Sequence, residues 1–186
     1  MKKIILILAV ALFSIGNGNV SNLYLTKTGH ASFFSKAPIQ NIDAQNDKVG
    51  VVLNSSTNEI AFEVSIRNFE FANKKMQEDF NDNFMETEKY PDARFNGKIN
   101  EQMDYSKDGT YQGTASGKLK IHGVEKDVTE KGTITIKSGS ITINSEFNVA
   151  LADYNIKIPK ILWDKIAENI LVKVDATLSA QGQVSN

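Results

Sequence analysis

The chain has 186 residues, enough for one domain with a real core, and its formal net charge of −1 gives no electrostatic footing for a nucleic-acid partner. It contains no cysteine, which excludes disulfides, a thiolate zinc site, a cysteine nucleophile and a lipidated cysteine anchor. The two histidines, His30 and His122, stand far apart, and neither has a second at i+2 or i+4 with which to hold a metal.

In chain order, Lys2 and Lys3 precede an apolar run over 4–15. That run has the length of a signal-peptide core and falls short of the roughly 20 residues needed to span a bilayer. Gly16 and Gly18 supply small residues at −3 and −1 of a cut after Gly18. The reading is a signal peptide over 1–18, with an uncleaved anchor as the alternative, a single domain over 19–186, and a periplasmic or secreted location.

From there apolar and polar residues alternate almost throughout, the period-2 signature of half-buried strands. The pattern predicts eight strands, at 23–35, 48–53, 59–67, 93–101, 110–121, 126–137, 140–151 and 169–180. Turn-prone residues at 54–58, 106–109, His122-Gly123 and Ser138-Gly139 separate several of them. Eight antiparallel strands on short hairpins make an up-and-down barrel or a sandwich. Between the third and fourth strands the period changes. Met76, Phe80 and Phe84 recur at i, i+4 and i+8, so residues 73–85 read as an amphipathic helix with Asn73 as N-cap. A short helix after Pro159 would place Ile161, Leu162, Trp163 and Ile166 as a cap on one end of the barrel.

The strand at 110–121 carries the functional signal. Thr110, Gln112, Thr114, Ser116, Lys118 and Lys120 share one polar face; the other runs Tyr111, Gly113, Ala115, Gly117, Leu119 and Ile121. Three small residues at the middle of an inward face leave space. If 122–125 and 137–140 close the next two hairpins, Ala115, Gly132 and Ser145 form one small layer. Gly117, Glu130 and Phe147 form the next, and Gly113, Ile134 and Ile143 also point inward. The space is either a cavity or is filled by Phe62, Phe95, Phe80 and Phe84. Glu130, a carboxylate on an inward face, requires a mouth, a polar ligand group, or a neighbour such as Ser145. No nucleophile elbow and no catalytic constellation is present. His122 reads as a turn residue, and Gly29 before His30 as a bulge or bend in the first strand.

Three stretches resemble the YceI-like domain family. Residues 74–97, KKMQEDFNDNFMETEKYPDARFNG, match a helix leading to Tyr-Pro and an alternating strand, through Met76, Phe80, Phe84, Tyr90, Pro91 and Phe95. Residues 117–128, GKLKIHGVEKDV, match the family's G-x-L-x-I-x-G-V-x-K-x-V hairpin, and residues 29–34, GHASFF, its histidine-containing first strand. Where many members carry an Arg-Asp pair before the helix, this chain reads EFANKKM, so no role of that pair transfers. The resemblance implies an all-β, eight-stranded antiparallel lipocalin-like barrel with one amphipathic helix and a short capping helix. It implies a non-enzymatic protein that binds, carries or stores a polyisoprenoid, quinone-like or fatty-acid-like ligand, with no other cofactor. The expected lining is Phe62, Val64, Met76, Phe80, Phe84, Phe95, Gly113, Ala115, Gly117, Glu130, Gly132, Ile134, Ile143, Ser145 and Phe147. Transient membrane contact and a homodimer are both compatible with this reading. The alternative is a filled barrel or sandwich acting as a secreted protein-interaction module.

Overall fold

The computed structural model describes residues 22–181, so the expected signal peptide lies outside the described residues. The strands are β1 (Leu23–Lys36), β2 (Asn41–Asn54), β3 (Glu59–Ser65), β4 (Glu70–Phe71), β5 (Asp92–Ile99), β6 (Gly109–Ile121), β7 (Val124–Lys137), β8 (Ser140–Ala150) and β9 (Asn169–Ala180). All pair antiparallel in the order β1-β9-β8-β7-β6-β5-β3-β2, and β2 pairs back to β1, closing an eight-stranded barrel. The two-residue β4 adds to β2 beyond the end of β3, through Ala44↔Phe71 and Gln45↔Glu70.

The topology sorts the connections to two ends. The turns at 55–58 and 138–139 and the loop at 100–108 share one end with Leu23 and Ala180. The loop at 37–40, the long β3–β5 connection, the His122–Gly123 turn and the β8–β9 connection share the other. The first end is packed solid: Val51, Leu53, Ile60, Ile99, Ile134, Ile136, Ile141 and Leu178 are buried together. Its loop is tied down by polar bonds. The Tyr105 hydroxyl donates to Asn58 Oδ1 at 3.1 Å, and Asn58 Nδ2 donates to the Glu101 carbonyl at 2.9 Å. Burial pushes the Tyr105 phenol up to about 12. The Glu101 carboxylate accepts from the Thr114 amide and hydroxyl at 2.7 and 2.9 Å, which holds its carboxyl below its usual range.

Several elements differ from expectation. β2 begins at Asn41, seven residues before the expected 48. Its early inward residues are Ile42, Ala44 and Asn46; after a register shift opposite Gly29 they become Val49, Val51 and Leu53. Asn46 is buried because Nδ2 donates to the Ser65 carbonyl at 2.9 Å and Oδ1 accepts from the Lys48 amide at 2.9 Å. A buried asparagine at the point where parity changes hides the strand from a hydropathy reading. The expected helix is α-helical only over Lys74–Asp79, here α1, and continues as a single π turn, Phe80–Phe84. The segment after Pro159 is one 3₁₀ turn, Lys160–Leu162. Ile161 and Trp163, expected to cap the barrel, are exposed instead. Among the described residues, no helix is long and apolar enough to cross a membrane.

Candidate binding cavity

The space inside the barrel is set by which inward positions are small. The β6–β7 hairpin closes on two residues, His122 and Gly123, both at positive φ, rather than on four. This moves the pairing by two residues and keeps its parity. Gly113 lies opposite Gly132, and Ala115 opposite Glu130. With Gly132↔Ser145, the small layer is Gly113, Gly132 and Ser145, with Ala115 one step above it. It continues through Val174 to Ala31 on β1. Below it Ile134, Ile143, Ile136 and Ile141 fill the closed end. Above it a cavity of about 460 Å³ opens toward the end that bears α1. That volume falls in the range typical of small-molecule pockets, about 300–1,000 Å³.

The cavity wall is aliphatic and aromatic. Phe62 and Phe95 are cross-strand partners with ring centroids 6.3 Å apart. Leu119, Val128, Phe147, Val149, Ile170 and Val172 continue the wall from β6, β7, β8 and β9. α1 covers part of the mouth. The Asn73 carboxamide accepts from the Lys75 and Met76 amides at 2.8 and 3.4 Å and fixes the start of the helix. Lys75 and Asp79, at i and i+4, pair on its outer face at 2.8 Å. Met76, Phe80 and Phe84 then face the cavity. At the π turn the Met85 amide reaches back to the Phe80 carbonyl at 2.9 Å. Phe80 is the hub of an aromatic cluster, with centroids 5.4 Å from Phe33, 5.9 Å from Phe69 and 5.0 Å from Phe71. Rings that could have filled the barrel therefore line its cavity instead.

Of the expected residues, Phe62, Val64, Met76, Phe80, Phe84, Phe95, Gly113, Ala115, Glu130, Gly132, Ile134, Ile143, Ser145 and Phe147 are brought together around this one cavity. Gly117 is not among its lining residues. It is paired with Gly97, and a Cβ there would sit 2.3 Å from the Asn96 carbonyl oxygen, so glycine at 117 serves the close approach of β5 to β6. Phe33, Phe69, Phe71, Val172 and Val174 also line the cavity and were not among the expected residues. Period-2 parity along β9 would have found the two valines, and the Phe-Glu-Phe alternation at 69–71 the two rings.

Polar groups at the wall are few. The β7–β8 ladder runs from Lys137↔Ser140 to Gly132↔Ser145, and among the described residues it extends no further. The Ser145 hydroxyl caps it by donating to the Lys131 carbonyl at 2.7 Å, so Ser145 is spoken for and does not meet Glu130. Toward the mouth the 3₁₀ turn Leu151–Tyr154 packs against both strands, and Lys126 reaches Asp153 at 3.3 Å. Glu130 stands beside the end of this ladder and has no hydrogen-bond or ion-pair partner among the described residues. Burial pushes its carboxyl above the usual range. His122 is more than a turn residue. Its Nδ1 bonds the Tyr154 carbonyl at 3.1 Å and its Nε2 the Glu86 carboxylate at 3.0 Å, so it ties the β6–β7 hairpin to the segment after α1 and to the β8–β9 connection. His30 pairs with Asp47 at 2.6 Å on the outside of the barrel. Among the described residues no three His, Asp or Glu side chains gather as a metal site.

A search of curated proteins found no match. Solved structures share the fold. A polyisoprenoid-binding domain from Saccharophagus degradans, implicated in plant cell wall breakdown, superposes with TM-score 0.74 at 14% identity, covering 86% of this chain and 99% of its own. BcnA of Burkholderia cenocepacia gives TM-score 0.67 at 15% identity, covering 81% of this chain and 96% of its own. The YCEI protein of Campylobacter jejuni gives 0.51 at 18%, covering 95% and 98%. Residues 24–178, from the start of β1 to the end of β9, match the YceI-like domain, and the chain belongs to that family.

Proposed function

We propose that this protein is a non-enzymatic binder of a long apolar or amphiphilic molecule, a polyisoprenoid, quinone-like or fatty-acyl chain, which it carries or stores outside the cytoplasm. The observation that carries this reading is the cavity of about 460 Å³, walled by aliphatic and aromatic side chains and floored by Gly113, Gly132 and Ser145. Belonging to the YceI-like family, and sharing its fold with a domain that binds polyisoprenoids, supports the same class of ligand. Burying about ten methylene groups yields roughly 8 kcal/mol gross. Ordering and association take back several kcal/mol, leaving affinity in the micromolar range or better. The signal-peptide pattern at 1–18 supports export, and N-terminal sequencing of the exported protein should begin near Asn19.

The test is a titration with a fluorescent fatty-acyl probe, competed by an unlabelled polyprenol, on the parent and on Ala115→Phe. Ala115 lines the cavity, paired with Ile99 on one side and Glu130 on the other, so a ring there would project into the space. Gly132 is the wrong place for the substitution, because a Cβ there would meet the Asn144 carbonyl oxygen at 2.7 Å. The parent should bind saturably, and Ala115→Phe should bind at least about tenfold more weakly at an unchanged melting temperature, the ring taking the place of cargo. If the parent ignores both ligands, or if Ala115→Phe unfolds because the space was already filled, the reading fails.

A further inference from the structure

The apolar side chains most exposed to water lie together beside the cavity mouth. Ile161 is 87% exposed, Ile39 67% and Trp163 60%. The Ile39 amide donates to the Asp164 carbonyl at 3.0 Å, which joins the β1–β2 loop to the 3₁₀ turn after Pro159. Their chain neighbours Gln40, Leu162 and Ile166 line the cavity. The patch therefore forms an outer lip of the cavity mouth. The Trp163 indole N–H is already used, donating to the Ile158 carbonyl at 3.2 Å, so the ring offers the surroundings mainly its apolar faces. Lys36, Lys157, Lys160 and Lys165 surround the lip, all exposed, and among the described residues none forms an ion pair. Asp164 and Glu168 are interspersed with them, and α1 brings Asp79 to the same mouth, so the four lysines face three carboxylates. This local positive excess sits on a chain whose formal net charge is −1.

We propose that this lip is a membrane-docking surface, which sets Ile39, Ile161 and Trp163 into the headgroup–acyl boundary of an anionic bilayer and brings the cavity mouth to the lipid. Water is a poor solvent for such a cluster. A bilayer interface suits each part: tryptophan concentrates at headgroup depth, isoleucine reaches the acyl region, and lysines keep their ammonium groups among anionic headgroups. Each lysine near such a surface strengthens binding roughly fivefold, an effect that salt weakens. The purpose of docking rests on the cargo reading; its geometry does not.

Trp163 is the single tryptophan of the chain, so its fluorescence reports this lip alone. The experiment adds the exported protein to vesicles of phosphatidylcholine with and without phosphatidylglycerol, including a brominated lipid as a depth-dependent quencher. The expected result is a blue shift and bromine quenching with the anionic vesicles, weakened by salt. Lys160→Gln should lower vesicle affinity roughly fivefold, and the double variant I39S/I161S should abolish the shift while its melting temperature and probe binding in solution stay as in the parent. If Trp163 keeps its emission in the presence of anionic vesicles, or if the double variant docks as well as the parent, the proposal is overturned. A dimer that shields Trp163 without lipid would overturn it too. The cargo reading has its own readout, probe titration without vesicles, so docking without cargo and cargo without docking are distinct results.

Discussion

Glu130 places a carboxylate on a wall that is mostly apolar, close enough to the Tyr154 phenol to raise it, with no hydrogen-bond or ion-pair partner among the described residues. Burial raises its carboxyl, so the folded state prefers the protonated form. The sign follows: below the unfolded carboxyl pKa, near 4.3, the group is neutral in both states and contributes nothing. As pH rises from there through the raised folded value, ionisation destabilises the native state, and the loss is complete above that value. Glu130→Gln should therefore raise the melting temperature at pH 7 and leave it unchanged near pH 4. Equal effects at both pH values would show that Glu130 acts through packing and not charge. Position 130 was legible in the sequence as an inward carboxylate because parity survives a hairpin of either length. Its opposite number was not legible, since a two-residue and a four-residue turn differ only in the backbone at His122 and Gly123. Gly117 shows another limit at this scale. A glycine that borders a cavity and one that only lets a neighbouring strand approach read identically until the strands are in place.

Among the elements, strands with strictly alternating hydropathy were readable, and so was β1 despite its register shifts around Gly29, whereas the first half of β2 was not. β6 and β9 follow parity from end to end, but β2 changes parity beside a buried Asn46, and its first half was invisible. The helix shows why periodicity has a ceiling. Spacing of i, i+4 and i+8 places Met76, Phe80 and Phe84 on one face, yet it does not separate an α-helical turn from the π turn that closes at Met85. The π turn matters because it seats Phe80 among Phe33, Phe69 and Phe71. Phe80 is half-buried and shares its faces between that cluster and the cavity. Phe80→Ala should cost about 1–3 kcal/mol, less than the usual 3–5 for a phenylalanine enclosed by protein, and should also weaken ligand retention. Denaturant melts and probe titration on one variant test both halves. A parent-like result in both would detach α1 from the cavity.

One division runs through the whole molecule. The barrel is solid at the end carrying the 55–58 and 138–139 turns and hollow at the end carrying α1, and the layer of Gly113, Gly132 and Ser145 marks the boundary. The eight-strand count and the hollow half were legible because both rest on period-2 patterning and on small residues repeated at inward positions. The lip was not: Ile161 and Trp163 read as a cap, since a sequence does not show which way a short apolar turn faces. Whether the hollow half holds a lipid chain is decided by recovering the protein from its own cells, extracting it with organic solvent and identifying the extract by mass spectrometry. The expected extract is a polyisoprenoid, quinone-like or fatty-acyl compound at close to one molecule per barrel, absent from Ala115→Phe prepared in the same way. A folded parent that yields no lipid, and takes none up when a polyprenol is offered, would contradict the cargo reading.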